Sequence, residues 1–374
     1  MTEKTARKKT VAVLFGGRSG EHEVSLMSAR SVLSALNPAR YEIIEVGITH
    51  QGGWLAGENA HEAFVSGDLT GLTPVFLSAD PTRPGLFLLN DDGRVEKLAD
   101  VDVYFPVLHG TYCEDGTIQG LFEMADVAYV GAGVLGSSVG MDKGLFKDVM
   151  RANDIPIVGY ITVLRAEIEN DLESVVRRAE ALADYPLFVK PANLGSSVGI
   201  TKCRTRSDLA EGLMEAAQYD RRIIIERAVS EPREIEISVL GNDDPQVSVA
   251  GEIVPGADFY SYEAKYILDS SELLIPAVLS PEQDETIRQM AIKAYKVCDC
   301  YGMARADFLI ESKTGAIYLN EINTIPGFTK ISMYPKLWQA SGLSYQGLVD
   351  RLIELAFERK AERDRTVREF RRQT

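Results

Sequence analysis

The chain has 374 residues, of which 45% are hydrophobic, so it is long enough for two or three packed domains. Its 55 acidic and 40 basic residues give a formal charge of -15, which repels nucleic-acid backbones and anionic membranes and argues against both as partners. The four cysteines form no Cys-x-x-Cys pair and indicate reduced thiols in a cytosol. No apolar run approaches the roughly 20 residues of a membrane span, which predicts no membrane insertion.

The first third has the pattern of an α/β layer. The apolar run V-A-V-L-F (residues 11–15) precedes the loop G-G-R-S-G-E-H-E-V-S and a helical pattern over residues 24–36. Further strand patterns at 43–48 and 101–108 lie far enough apart for crossover connections, which favours a parallel sheet with loops at its carboxyl edge. We expect His109 on that edge and the first domain to span residues 1–137.

The middle of the chain predicts a smaller α+β domain over residues 138–228. A helical segment at 142–153 is followed by the strand L-F-V-K-P (residues 187–191), a glycine-serine loop, a helix at 207–218 and a strand at 223–229. The remaining residues, 229–374, predict a C-terminal α+β domain with strands at 233–240, 246–254, 305–311 and 316–321. The connection 255–272 contains three tyrosines and is long enough to be a functional lid.

Two helices are predicted in the C-terminal domain. Residues 281–301 open with a capping box of Ser280 and Gln283, with Pro281 at the first helical position. Helical spacing places Cys298 on an apolar stripe with Ile287, so we expect it to be a core residue. The final helix starts near residue 345, and its Arg- and Lys-rich end is interpreted as a solvated helix terminus.

Two neighbouring strand patterns near the C-terminus place Asp307, Glu321 and Asn323 close together, with Glu321 and Asn323 on one face. Two carboxylates and an amide oxygen are the hard ligands that Mg²⁺ takes beside nucleotide phosphates. The alternative is a pair of acids that meets solvent or the guanidinium of Arg305. Arg305 itself either stabilises developing negative charge or forms a plain salt bridge.

Two glycine-containing loops are candidates for binding anions or zwitterions. Lys190 precedes the loop 195–199, which suits phosphate binding but is also typical of a simple hairpin. The loop after the first strand lacks the dinucleotide-binding spacing, and its Glu21 beside a helix N-terminus could hold a zwitterion. Of the four histidines, His22 is interpreted as a surface residue and His50 and His61 as having no partners, so a histidine metal site is not expected. Only His109 is a functional candidate.

Six motifs in this order closely resemble the D-alanine–D-alanine ligase family over nearly the whole chain. They are E-H-E-V-S, H-G-x-x-C-E-D-G-T-I-Q-G, M-D-K, K-P-A-N-L-G-S-S-V-G, Y-E-A-K-Y and N-E-I-N-T-I-P-G. The resemblance implies a three-domain ATP-grasp α/β fold, with a Rossmann-like N-terminal domain and ATP between the central and C-terminal domains. The tyrosine of Y-E-A-K-Y resembles members that form the dipeptide rather than D-alanyl-D-lactate.

The resemblance also implies a role for each matched residue. The ATP phosphates would be bound by Lys143, Lys190, Ser196 and Ser197. The adenine would be lined by Glu226, Arg227 and Val229, and the ribose would contact Glu234. One residue more than expected lies between Val229 and Glu234. Two Mg²⁺ ions, with Mn²⁺ as an alternative, would be held by Asp307, Glu321 and Asn323. Glu21, Ser196 and Tyr266 would form a linked set at the first substrate. Gly327 would donate to the oxyanion, and Ser332 would bind the carboxylate of the second substrate. The resemblance also implies that Lys265 and His109 contact substrate and that Arg305 is catalytic.

The implied reaction joins two D-alanines through an acyl phosphate at the expense of ATP, in the cytoplasm, for peptidoglycan precursor synthesis and cell shape. A homodimer is expected from the resemblance alone. Three alternatives remain at this point: another ATP-grasp carboxylate-amine ligase, a nucleotide-binding regulator without turnover, and a nicotinamide-dependent dehydrogenase. The third would leave the predicted metal ligands unexplained, and the second does not explain why the catalytic groups are present.

Overall fold

The structure, a computed structural model, describes residues 7–90, 92–195, 198–254 and 272–368. They form three β-sheets with helices packed on them. The lid prediction for 255–272 lies outside the described residues, except for residue 272. No helix in these ranges is both long and apolar enough to cross a membrane.

The N-terminal sheet has seven strands in the order β6-β5-β4-β3-β2-β1-β7. Their bounds are β1 Lys9–Gly16, β2 Tyr41–Ile48, β3 Trp54–Ala56, β4 Thr73–Leu77, β5 Leu86–Leu89, β6 Val95–Ala99 and β7 Val103–Pro106. Only β2, β1 and β7 are parallel, and β3 to β6 extend the sheet with antiparallel pairings. The predicted parallel arrangement of the strands near residues 11–15, 43–48 and 101–108 is confirmed. The antiparallel strands between residues 54 and 99 were not predicted, and they need no crossover connections.

Helices cover this sheet and lead to the second one. They are α1 His22–Ala35, α2 Ala60–Ser66, α3 Thr117–Met124, α4 Val134–Met141 and α5 Lys143–Ala152. Strand β1 is buried along seven of its eight residues, as expected for a central strand covered on both faces. The predicted boundary after residue 137 lies inside α4, a helix that the glycine-rich sequence did not suggest.

The central sheet has four antiparallel strands in the order β10-β9-β11-β8. They are β8 Tyr160–Leu164, β9 Leu187–Pro191, β10 Thr201–Cys203 and β11 Arg222–Arg227. Helices α6 Arg165–Glu180 and α7 Arg206–Tyr219 pack on it and enclose a core whose buried members, among the described residues, run from Val163 to Ile225. This agrees with the predicted compact α+β unit.

The C-terminal sheet is antiparallel, in the order β14-β13-β12-β15-β16. Its strands are β12 Pro232–Gly241, β13 Gln246–Val254, β14 Glu272–Leu274, β15 Gly302–Glu311 and β16 Ile317–Asn323. Three helices accompany it: α8 Pro281–Val297, α9 Met333–Ala340 and α10 Tyr345–Asp364. The core of the N-terminal sheet continues into residues of this part, including those of α10.

Helix α8 confirms the predicted capping box, since Ser280 Oγ accepts the Gln283 amide at 3.2 Å and Gln283 Oε1 accepts the Ser280 amide at 3.1 Å. Its predicted stripe is buried, and Cys298 lies in the core. The helix ends at Val297, four residues before the predicted end at 301, because Asp299 turns to a positive φ of 57°. All four cysteines are buried free thiols.

The basic end of α10 is not the solvated terminus that the sequence suggested. Arg359 and Arg363 donate to the two carboxylate oxygens of Glu123, at 2.8 and 2.5 Å, and Arg363 also donates to Asp126 at 2.9 Å. Their side chains are only 14% and 17% exposed. The end of α10 therefore fastens the C-terminal part to α3 of the N-terminal part.

Candidate active site

The three sheets meet at a cleft lined by side chains from every part of the described chain. Strands β15 and β16 form one wall, the loop after β9 and the start of α5 form another, and the loops after β1 and β7 close the end. The residues that line it include eight that the sequence analysis singled out: Glu21, His109, Lys143, Arg305, Glu321, Asn323, Gly327 and Ser332. Residues far apart in sequence are thus brought together as the motifs suggested.

The acidic wall follows from strand register. Asp307 lies opposite Glu321, and Arg305 lies opposite Asn323, on the antiparallel pair of β15 and β16. Because side chains alternate along a strand, all four occupy the same face. The predicted grouping of Asp307, Glu321 and Asn323 is therefore present.

Arg305 binds this acidic group directly. It donates to both oxygens of Asp307 at 2.7 Å, and its Nε lies 3.0 Å from Glu236 Oε2. Both interpretations of Arg305 remain open, since a guanidinium held in this way can also face a bound anion. Glu236, from β12, is a site residue that sequence reasoning missed.

The donor set fits a divalent cation in its chemistry. Two carboxylates in register with an amide nearby supply the oxygen ligands that Mg²⁺ prefers. Each oxygen of Asp307 has a second lone pair beyond the one that Arg305 uses. Asn323 Oδ1 also accepts the Ile325 amide at 3.0 Å, which fixes its orientation. No cluster of three His, Cys, Asp or Glu side chains close enough to hold a metal occurs in the described ranges. The metal assignment stays a prediction.

A buried ion cluster lies within electrostatic range of Lys143. Glu226 of β11 is 3% exposed, and its two oxygens lie 2.7 Å from Lys190 Nζ and 3.0 Å from Lys147 Nζ. Burial alone raises the pKa of this carboxyl, but Lys147 and Lys190 together lower it to about 2. Glu226, predicted at the adenine, is therefore ionised and bound to two lysines.

Lys147 was missed although its position carries a signal. It is 1% exposed and lies one helical turn after Lys143 on α5, on the buried face that also holds Met150. A lysine on an apolar helical stripe needs a buried partner. Burial lowers the pKa of Lys147, and Glu226 opposes that shift.

Lys143 contacts the glycine-serine loop. Its Nζ donates to the Leu194 carbonyl at 2.6 Å, and burial lowers its pKa despite the nearby carboxylate of Glu321. The next residue, Gly195, lies so close to Glu21 that an added Cβ would be 2.6 Å from Glu21 Oε2. A side chain at 195 would thus displace Glu21.

The far end of the cleft contains Glu21 and Glu114. Glu114, a residue that the prediction missed, is 7% exposed and accepts the Gly110 amide at 2.7 Å. Burial and the charge of Glu21 raise the pKa of Glu114 well above its ordinary value. Two carboxyl groups therefore lie close together at this end of the cleft, and the proximity of Glu21 contributes to the raised pKa of Glu114.

His109 is 4% exposed, and both of its ring nitrogens have partners within the protein. Nδ1 lies 3.2 Å from the Ile325 carbonyl, and Nε2 lies 3.0 Å from Ser28 Oγ. Burial lowers the pKa of the imidazole. The ring lines the cleft, so its predicted contact with substrate stays a prediction.

The other predicted residues fall into three groups. Val229 is buried, Arg227 covers the Tyr318 ring at 5.0 Å, and Glu234 lies in β12 opposite Ile253. Their roles at the nucleoside stay predictions. Ser332 precedes α9, and its Oγ lies 2.7 Å from that of Thr329. Ser196, Ser197, Lys265 and Tyr266 lie outside the described residues.

The interpretation of the other histidines was wrong. His22 is 5% exposed rather than on the surface, and its Nδ1 lies 2.9 Å from the Gly17 carbonyl. His50 stacks on it at 3.8 Å between ring centroids, and His61 Nε2 lies 2.8 Å from the Leu26 carbonyl. These contacts give the histidines structural roles in the first loop and α1.

A cleft between two antiparallel sheets, with lysines on one wall and acids on the other, defines a nucleotide-dependent ligase of the ATP-grasp type. The family model described as D-ala D-ala ligase N-terminus matches residues 10–132, and that described as D-ala D-ala ligase C-terminus matches residues 149–354. The chain belongs to the D-alanine–D-alanine ligase family.

Individual proteins agree with this assignment. A D-alanine–D-alanine ligase of Heliobacterium modesticaldum is 48% identical over 97% of this chain and 98% of its own, and one of Thermoanaerobacter sp. is 51% identical over 96% and 99%. The structure of the D-alanine–D-alanine ligase from Coxiella burnetii has a TM-score of 0.81 at 36% identity over 96% of this chain and 97% of that chain. VanG D-Ala:D-Ser ligase from Enterococcus faecalis has a TM-score of 0.82 at 35% identity over 94% and 100%.

Proposed function

We propose that this chain joins two D-alanine molecules into D-alanyl-D-alanine with ATP, releasing ADP and phosphate, in the cytoplasm and for peptidoglycan precursor synthesis. The observation that carries the proposal is the single cleft that unites Glu21, Lys143, Arg305, Glu321 and Gly327. Family membership makes ATP and D-alanine the substrates. The homodimer remains an expectation from the resemblance.

In the first step a carboxylate oxygen of the first D-alanine attacks the γ-phosphorus, the bond to ADP breaks, and an acyl phosphate forms. Lys143 and Lys190 neutralise the phosphates, and Glu21 receives the substrate ammonium. Binding both reactants in one site replaces a bimolecular encounter by a positioned one. Asp307, Glu321 and Asn323 would hold two Mg²⁺, or Mn²⁺, which spread the charge of the phosphates.

In the second step the amine of the second D-alanine attacks the acyl carbon, the bond from that carbon to the phosphate oxygen breaks, and the departing phosphate takes up the proton that the amine loses. The Gly327 amide and the Arg305 guanidinium stabilise the oxyanion, and Ser332 receives the second carboxylate. Donors fixed before the reaction are effective because they need no reorganisation as charge develops. Lys265, Tyr266, Ser196 and Ser197 complete the closed site in this proposal, with Val229, Arg227, Glu226 and Glu234 at the nucleoside.

The test is phosphate release by the purified protein with ATP and Mg²⁺, with D-alanine, L-alanine, or D-alanine mixed with D-lactate or D-serine, and with products identified by mass. We expect D-alanine, but not L-alanine, to stimulate phosphate release. In the mixtures with D-lactate or D-serine we expect D-alanyl-D-alanine to be the only product. Removal of the cation with EDTA should abolish the signal, and added Mg²⁺ or Mn²⁺ should restore it. An absence of stimulation by D-alanine would move the assignment to another carboxylate-amine pair.

A further inference from the structure

The loop between β16 and α9 carries Gly327, and its backbone is held by side chains from distant segments. Ser28 of α1 is fully buried, and its Oγ accepts the Phe328 amide at 3.3 Å. On the other side of the same residue, the Tyr345 hydroxyl donates to the Phe328 carbonyl at 2.5 Å. Both polar groups of the residue that follows Gly327 are thus bound from behind the cleft.

A third contact holds the loop two residues before Gly327. A carbonyl can only accept a hydrogen bond, so the contact with the Ile325 carbonyl requires that His109 Nδ1 carries a proton. Burial lowers the pKa of the imidazole. In the neutral ring with a proton on Nδ1, Nε2 accepts, and the hydroxyl of Ser28 is its donor. Ser28 therefore links the imidazole to the Phe328 amide through one oxygen.

The packing makes these bonds difficult to replace by water. Phe328 is 1% exposed, and its ring lies between Phe105 of β7, Tyr334 of α9 and Tyr345 of α10. Loss of one hydroxyl therefore leaves a buried backbone group without its bond and lets the loop shift.

We propose that Ser28, His109 and Tyr345 are positioning residues that fix the Gly327 amide for the transfer step. The inference rests on the proposed function, because it assigns that amide to the oxyanion of the acyl phosphate reaction. Ser28 and Tyr345 are thereby added to the residues that support the site. His109 acts by holding the loop through the Ile325 carbonyl, a role that does not require a ring nitrogen to contact substrate.

The variants are Ser28→Ala and Tyr345→Phe, each of which removes one hydroxyl and retains the packing. Matched controls exist for both. Ser248→Ala removes a hydroxyl that is 1% exposed and makes two hydrogen bonds within the C-terminal sheet. Tyr334→Phe removes the hydroxyl of a ring that also contacts Phe328, but that hydroxyl donates to the Val239 carbonyl.

Both test variants should lower kcat for dipeptide formation about tenfold or more, because small displacements of a reacting group are costly. The KM for ATP should change less than about twofold, since the ATP walls are untouched. Slower transfer exposes the acyl phosphate to water, so more than one phosphate should be released for each dipeptide. The controls should keep wild-type kcat and a one-to-one ratio.

Nitrogen NMR of ¹⁵N-histidine protein, with the His109 signal identified by its loss in His109→Gln, gives a readout independent of turnover. We expect protonated Nδ1 and accepting Nε2 in the wild type, and a shift of the Nε2 signal in Ser28→Ala only. If wild-type protein releases phosphate with D-alanine but the test variants match their controls in kcat and ratio, the positioning role is wrong. If wild-type protein shows no D-alanine-dependent release, the proposed function itself has failed.

Discussion

Lys147 offers a test of the ion cluster at the scale of one residue. Lys147→Met leaves the carboxylate of Glu226 with Lys190 as its remaining partner, at 2.7 Å. Breaking one half of a buried pair costs about 3–5 kcal/mol. We therefore expect a lower free energy of unfolding, measured by denaturant titration. Glu226 would also neutralise more of the charge of Lys190, which then attracts the ATP phosphates less strongly, so we expect a raised KM for ATP in steady-state kinetics.

The matched control is Lys97→Met. Lys97 pairs with Asp100 at the surface, where its side chain is 41% exposed. An exposed pair contributes about 0–1 kcal/mol, so this variant should unfold nearly as the wild type does and keep its KM for ATP. Equal effects of the two variants would show that burial of the cluster has no energetic importance.

Glu226 predicts a defined pH dependence of stability. Its pKa falls from an ordinary 4.5 to about 2 on folding, which corresponds to about 3 kcal/mol by linkage. Because the folded pKa is the lower one, this stabilisation is complete above pH 4.5 and is lost as the pH falls toward 2. The difference in unfolding free energy between the wild type and Glu226→Gln should shrink over that interval, as measured by urea titration at several pH values. A constant difference from pH 6 to pH 3 would contradict the shift.

Single residues were predictable where their chemistry is local in sequence. Asp307 and Glu321 belong to adjacent strands with recognisable patterns, and Lys190 ends an apolar run. Ser28 and Tyr345 were not found, because each acts on Phe328 and such distant contacts leave no local pattern. The family resemblance supplied Gly327 and Ser332, whose roles no periodicity reveals.

The junction of α10 and α3 supports a prediction at the scale of elements. Glu123→Gln weakens the bonds of Arg359 and Arg363 and of the Tyr129 hydroxyl, which donates to Glu123 at 2.6 Å. Partly buried charge-assisted hydrogen bonds contribute about 1–3 kcal/mol, so the free energy of unfolding should fall by that order. Denaturant titration of the purified variant measures it.

Glu358→Gln is the control on α10 itself. Glu358 is 52% exposed and pairs with Arg351 of the same helix, so its loss should cost no more than about 1 kcal/mol. If Glu123→Gln is as mild as this control, the junction does not fasten the two parts together.

Elements were predictable in proportion to their local signals. The capping box and apolar stripe of α8 follow from short-range spacing, and both are present. Strand β6, V-E-K-L-A, is exposed along most of its length and has no apolar run, so only its pairing with β5 defines it. Local pattern cannot reveal a strand whose stability comes from its neighbour.

At the scale of the whole molecule, hydrophobic packing groups the chain differently from the three predicted domains. One core joins β1 and β7 of the N-terminal sheet to residues 325–356 of the C-terminal part. The central sheet instead encloses a separate core within residues 163–225. The N- and C-terminal parts therefore share one core in addition to a second core in each of them, while the central part, among the described residues, contributes to no core shared with the N-terminal sheet.

This arrangement predicts two levels of protection in native-state hydrogen exchange. Backbone amides of β9 and β11 should exchange through an opening of lower free energy than those of β1 and β15, because local units open according to their own buried contacts. ATP with Mg²⁺ should raise the protection of β9 and β11 most, since it bridges the central and C-terminal walls and stabilises only the closed arrangement. Exchange measured at increasing denaturant, with and without the nucleotide, separates these openings from global unfolding. If the exchange free energies of the β9 and β1 amides had the same dependence on denaturant without ATP, the central core would unfold only with the rest of the molecule, which would contradict the prediction.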